Sequence, residues 1–166
     1  MKRLLTALAI LLTATAFAQP AQTYQSGGNK VIRDYITQQQ LATDSSFKWF
    51  AANQQGYTPE ANALNALRQN KDSIHLIVFG GTWCHDTQYL LPKFFALTNA
   101  AGVSPDRITL FGVDESKKAA QHMSEAFNVT RVPTFIVMKN GKEIGRVVEY
   151  GSKGLFDLDL GQVLSR

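Results

Sequence analysis

The sequence predicts an α/β fold, a central mixed sheet flanked by helices on both faces. Three observations carry this. Residues Ile74 to Phe79 form an apolar, β-branched run suited to a buried strand, and a helical pattern follows. Ile108 to Val113 repeats the strand signal and is also followed by a helical pattern. Asn140-Gly141 then separates two further strand-like segments and is the strongest short hairpin signal in the chain. Strand–helix–strand–helix, a hairpin and a closing helix make one mixed sheet between helices. The length of 166 residues suits a single domain with a substantial core.

Taken in order, the chain opens with Met1-Lys2-Arg3 and the apolar stretch Leu4 to Leu12, a positive segment followed by a short hydrophobic one. Ala16-Phe17-Ala18 matches the small-x-small cleavage pattern, so residues 1–18 are expected to be a signal peptide cut after Ala18. The apolar run is short for a membrane span, and no cysteine follows it for lipid attachment. Export, to a periplasm or the medium, is the expectation, without stable membrane insertion after cleavage. Cleavage removes Lys2 and Arg3 and leaves 15 basic against 13 acidic side chains, a net charge of +2. With no Lys/Arg cluster interleaved with aromatics, nothing points to nucleic acid.

Residues 19–30 are polar and Gly-rich and read as a flexible leader. Residues 31–57 read as an N-terminal helical extension, in which Asp44 caps a helix from about Ser45 and Trp49, Phe50 and Tyr57 serve as core or lid. Residues 58–166 read as the main domain. Thr58-Pro59-Glu60 starts a helix, with Pro59 in its first turn and Ala63, Leu64 and Leu67 on one side, ending near Asn70. After the strand Ile74–Phe79, Gly80 and Gly81 break the pattern and a helix covers Gln88 to Thr98. A loop at 102–106 leads to the strand Ile108–Val113, and Ser116 to Phe127 reads as a helix with Ala119, Ala120, Met123 and Phe127 inward. Thr134 to Met138 and Ile144 to Tyr150 are the hairpin strands, and Leu155 to Leu164 is the closing helix.

The chemistry concentrates at the break after the first central strand. Cys84, the only cysteine, falls at a strand-to-helix turn, where unpaired N–H groups and the helix dipole favour a thiolate. Its plainer reading is a small buried hydrophobe. Against that stand its polar neighbours His85, Asp86 and Thr87 and the flanking glycines, which suggest an exposed turn. A lone cysteine allows no internal disulfide, so any disulfide is with another molecule. A metal site of Cys84, His85 and Asp86 is disfavoured, because adjacent side chains diverge and no distant cysteine completes the set. His75 and His122 lie far from the turn and read as structural or surface groups.

The segment Gly81-Thr82-Trp83-Cys84-His85-Asp86-Thr87 resembles the W-C-x-x-C turn of the thioredoxin superfamily, with Thr87 where the second cysteine would be. Pro92, eight residues after Cys84, matches the proline that kinks the active-site helix. Arg131-Val132-Pro133-Thr134-Phe135 resembles the segment that holds the cis-proline, and the similarity runs over roughly residues 58 to 165. The resemblance implies a thioredoxin-like fold. It also implies that Cys84 attacks disulfides, that Trp83 walls the thiol, and that Val132 and Pro133 face it and offer backbone hydrogen bonds to an extended substrate. Thr87 can donate to the thiolate but cannot resolve a mixed disulfide; His85, if protonated, would favour the thiolate. No cofactor and no metal is implied, and the partners would be protein or small-molecule thiols and disulfides.

Two departures bear on activity. Val78 falls where thioredoxins keep a buried aspartate, and Leu110 where they keep a lysine near it. Both charges are missing together with the thiol that they serve. The expectation is monothiol thiol–disulfide exchange through Cys84, with release by an external thiol; a redox-inactive peptide- or partner-binding module is the alternative.

Overall fold

A computed structural model describes residues 22–165. The expected signal peptide and the first residues of the leader lie outside the described residues. The chain opens with strands β1 (Gln22–Ser26) and β2 (Asn29–Arg33), an antiparallel hairpin that pairs Gln22 with Arg33 and Ser26 with Asn29. This corrects the reading of residues 22–30 as a flexible leader. Gly27 and Gly28 both take positive φ, 55° and 81°, the two-residue turn whose twist matches that of the strands it joins.

The five-stranded sheet uses β3 (Tyr35–Ile36), β4 (Ile74–Gly80), β5 (Ile108–Gly112), β6 (Thr134–Lys139) and β7 (Lys142–Val148) in the order β3-β5-β4-β6-β7. Only β4 and β5 run parallel; the other neighbours are antiparallel. The turn between β6 and β7 falls at Asn140-Gly141, both at positive φ, as the sequence predicts. Helices are α1 (Gln38–Thr43), α2 (Lys48–Ala52), α3 (Ala61–Asn70), α4 (His85–Ala101), α5 (Met123–Ala126) and α6 (Phe156–Leu164).

One face of the sheet carries the larger core, where α3, α4 and α6 pack together with α1 and α2 beside them. Its centre is a run of aromatic contacts. Phe135 on β6 lies 4.9 Å, ring centre to ring centre, from Phe94 on α4 and 5.4 Å from Phe156 on α6. The other face is covered by residues 113–132, which include α5, over Phe79, Phe111 and Ile136.

Between Thr37 and Ala52 the extension is helical, and Asp44 accepts from Ser46 N–H to cap the 3-10 turn that leads into α2. Before that it is strand. The start of α3 falls later than expected, with Glu60 as the cap and Pro59 outside the helix. The expected helix over 116–127 is the larger miss. Lys117, Gln121 and His122 all have positive φ, and only a 3-10 turn at Ala120–His122 and the short α5 form. The cause is local competition for the backbone: the Asp114 carboxylate takes the Lys118 N–H at 2.8 Å, and the Ser124 hydroxyl takes the Ala119 N–H at 3.0 Å. Ala119 and Met123 still point inward.

The N-terminal segments are bonded into the domain. Pro92 has no N–H to give Gln88, and the freed Gln88 carbonyl accepts instead from Asn53 Nδ2 at 3.0 Å. At the other end of the core, the Asp157 carboxylate accepts from the Tyr57 hydroxyl at 2.8 Å and from the Glu60 N–H at 3.2 Å, joining α6 to the start of α3. Burial, with the carboxylate beside it, pushes the Tyr57 phenol far above its ordinary range. Asp157→Ala leaves both donors without an acceptor, and stability should fall by about 1–3 kcal/mol. The readout is a lower urea midpoint at unchanged slope.

Candidate functional site

The β4–α4 turn is built by close approach. An added Cβ at Gly80 would lie 2.9 Å from Thr87 Cγ2, and one at Gly81 2.7 Å from the Trp83 ring. Gly80, Gly81 and Thr82 are buried, so the turn is not exposed throughout; it reaches solvent from Trp83 onward. Cys84 is the N-cap of α4, with extended backbone at φ −84° and ψ 125°, and its own N–H donates to Gly81 O at 2.9 Å. Its side chain makes no capping bond to the helix N–H groups.

The Cys84 thiol is half-buried and donates to the Val132 carbonyl at 3.4 Å. Val132–Pro133 is a cis peptide bond. Cys84, Val132 and Pro133 therefore meet as the resemblance implies, brought together by the pairing of β4 with β6. The Trp83 ring is half-buried against the second core cluster, as is Cys84, with its indole N–H on Val113 O at 3.0 Å and the Lys117 ammonium 5.7 Å from the ring centre. His85 is exposed at the first position of α4.

Thr87 lies in the first turn of α4. It is fully buried, and its hydroxyl accepts from the Gly81 N–H at 3.2 Å. It thereby closes the turn. Val78 and Leu110 are opposite one another in the β4–β5 ladder, both buried in the apolar core. The floor of the site is hydrocarbon at both positions.

Sequence reasoning missed Tyr150, Tyr89 and Gln88. The Tyr150 hydroxyl donates to Asp86 Oδ1 at 3.0 Å, and its ring lies 6.2 Å from that of Tyr89. Partial burial first, then the Asp86 carboxylate and the charges of Tyr89 and Cys84, raise the Tyr150 phenol above its usual range. Tyr150, carried by the chain just after β7, thus lies over the first turns of α4. No spacing in the sequence links it to Cys84, 66 positions earlier. A groove of about 540 Å³, lined by Arg131, Glu149, Tyr150, Gly151, Ser152 and Asp159 among others, continues from Tyr150. His75, expected to be structural, bonds the Thr109 hydroxyl at 2.7 Å on β5, and burial lowers its pKa. Among the described residues, no three His, Cys, Asp or Glu side chains gather as a metal site, and no helix is long and apolar enough to cross a membrane.

Against this geometry, the thioredoxin family profile matches residues 58–157. A thioredoxin of Echinococcus granulosus is 32% identical over 99 residues, which cover 60% of this chain and 86% of that protein. Thioredoxin H2-2 of Oryza sativa subsp. japonica is 32% identical over 84 residues, covering 50% of this chain and 58% of that protein. Among solved structures, a Pseudomonas aeruginosa protein of unknown function superposes with a TM-score of 0.52 at 16% identity, covering 75% of this chain and 86% of that one; this is a likeness of fold.

Thr87→Val keeps the shape and removes the acceptor for the buried Gly81 N–H. Its stability should drop by about 1–3 kcal/mol, whereas Thr87→Ser should stay near the wild type in thermal unfolding.

Proposed function

The chain belongs to the thioredoxin family, and from that premise we propose that it is an exported monothiol thiol–disulfide exchanger acting through Cys84. The observation that carries the reading is the placement of one thiol at the N-cap of α4, beside the cis Val132–Pro133 bond, with a buried threonine where the family's second cysteine would stand.

The thiolate of Cys84 attacks one sulfur of a substrate disulfide. A bond forms between Cys84 Sγ and that sulfur, the substrate disulfide breaks, and the other half leaves as a thiolate that takes up a proton. The Thr87 hydroxyl cannot attack in turn, and it is held by Gly81. An external thiol, as its thiolate, then attacks the mixed disulfide, restores the Cys84 thiolate and carries the substrate half away. Each cycle exchanges one disulfide for another with no net oxidation. The Val132 carbonyl, which accepts the S–H in the resting protein, is then open to an N–H of an extended substrate chain.

A second reading, a binding module without turnover, is favoured by the exposed aromatic pair Tyr89 and Tyr150 at 47% and 37% exposure next to the thiol. The two part company at Cys84→Ser. Exchange predicts that mixed-disulfide capture and turnover vanish in this variant; full partner retention without capture in the wild type would decide for binding alone.

Export is read from residues 1–18. Protein recovered from the exported fraction should begin at Gln19, as N-terminal sequencing would show; a retained Met1 on protein inside the cell would overturn this part of the proposal.

A further inference from the structure

The hairpin β1–β2 lies outside the span matched by the family profile, yet it is bonded to the turn that presents the thiol. The contact is made by Thr82, two residues before Cys84 and only 2% exposed. Its hydroxyl donates to Lys30 O at 2.7 Å and accepts from Ile32 N–H at 3.3 Å, so its proton and a lone pair are both used by β2. The Thr82 carbonyl accepts from Gln88 Nε2 at 2.8 Å, and the same amide reaches Asn29 Oδ1 at 3.5 Å. Strand β2, the thiol turn and the first turns of α4 therefore share one small hydrogen-bond network.

The far side of the hairpin is fixed as well. The Tyr24 hydroxyl donates to Glu115 Oε2 at 2.7 Å, and Arg33 reaches Lys118 O at 3.2 Å, Ala119 O at 3.5 Å and Asp114 at 3.5 Å. Any Cβ at position 112 would overlap Ile32 O, so the glycine there lets β2 lie directly on the end of β5. Lys30 also pairs with Asp44 at 2.5 Å. A hairpin held at several points can transmit its rigidity through Thr82 to the turn.

We propose that Thr82 is a positioning residue, which clamps the 81–84 turn to the β1–β2 hairpin and so keeps Cys84 at the N-cap, beside the first N–H groups of α4. Those groups and the helix dipole favour the thiolate only while Cys84 holds the N-cap position. Loosening the turn removes that alignment. The inference rests on the reading of Cys84 as the reacting group.

The test is the rate of Cys84 alkylation by iodoacetamide against pH in protein spanning residues 19–166, with amide hydrogen exchange at Ile32. Thr82→Val removes the hydroxyl at constant shape. Its alkylation midpoint should rise by about half a pH unit, and Ile32 exchange should quicken by about tenfold or more. Thr82→Ser keeps the hydroxyl and should restore both to wild-type values. A folded Thr82→Val whose pH profile overlays the wild type, or a Thr82→Ser that shifts as far as the valine, overturns the clamp. If the valine variant does not fold, Arg33→Ala is read in its place: it loosens the hairpin at its far anchor, and a wild-type profile with fast exchange at Ile32 overturns the proposal equally. The wild-type profile by itself tests whether Cys84 is a reactive thiol, and the difference between variants tests the clamp, so the two failures are distinguishable.

Discussion

The β4–α4 turn depends on one buried hydrogen bond, from the Gly81 N–H to the Thr87 hydroxyl at 3.2 Å. It joins the end of β4 to the first turn of α4 and leaves no room for side chains at Gly80 or Gly81. With the turn drawn this tight, Gly81 O accepts the Cys84 N–H and Cys84 falls on the N-cap. A shorter or unbonded residue at 87 would leave a buried N–H without a partner, a cost comparable to losing a hydrogen bond outright. Position 87 is therefore occupied by a structural function. In a dithiol site the same position must supply a mobile nucleophile, and the two requirements are hard to meet in one side chain.

The charges around the sulfur pull in opposite directions. The first N–H groups of α4 favour an anion, while Asp86 in the same turn disfavours one. Tyr150 answers part of this by giving its hydroxyl to Asp86, which turns that carboxylate's acceptor toward the phenol. The Val132 carbonyl accepts the S–H at 3.4 Å. Beneath the site, Val78 faces Leu110 across the ladder and supplies no proton donor or acceptor.

Much of this was legible because it is local. Strand β4, helix α4, the Asn140-Gly141 turn and α6 each announce themselves by an apolar period or a turn pair that short-range geometry enforces. Cys84 stands out by its place at a strand-to-helix turn, and Trp83, Val132 and Pro133 through the resemblance to thioredoxins; the pairing of β4 with β6 brings the two segments side by side. What escaped depends on contacts made over long separations. By composition the leader is flexible, whereas Gly27-Gly28 is a turn and β1 is anchored on Glu115, 91 residues from Tyr24. The segment 116–127 has helical periodicity, but the Asp114 carboxylate and the Ser124 hydroxyl take backbone groups that a helix would need. Tyr150 joined the site only through the hairpin that returns it to α4.

The N-terminal segments complete what the family core leaves open. Phe47 and Phe50 enter the main core, Phe50 meeting Phe95 of α4 at 5.8 Å between ring centres. Asn53 takes the carbonyl that Pro92 frees, and Gln54 reaches the Pro92 carbonyl itself at 3.2 Å. Each of these contacts lands on α4, and the Thr82 network reaches the start of the same helix. An added segment that bonded only to the periphery would leave the thiol turn as mobile as its own glycines allow. One that grips both ends of α4's first half fixes the helix that carries the sulfur. A site with a single thiol has no second cysteine to lock its turn by a disulfide, so rigidity at Cys84 has to come from hydrogen bonds and packing, and in this chain residues 22–57 supply a large part of both.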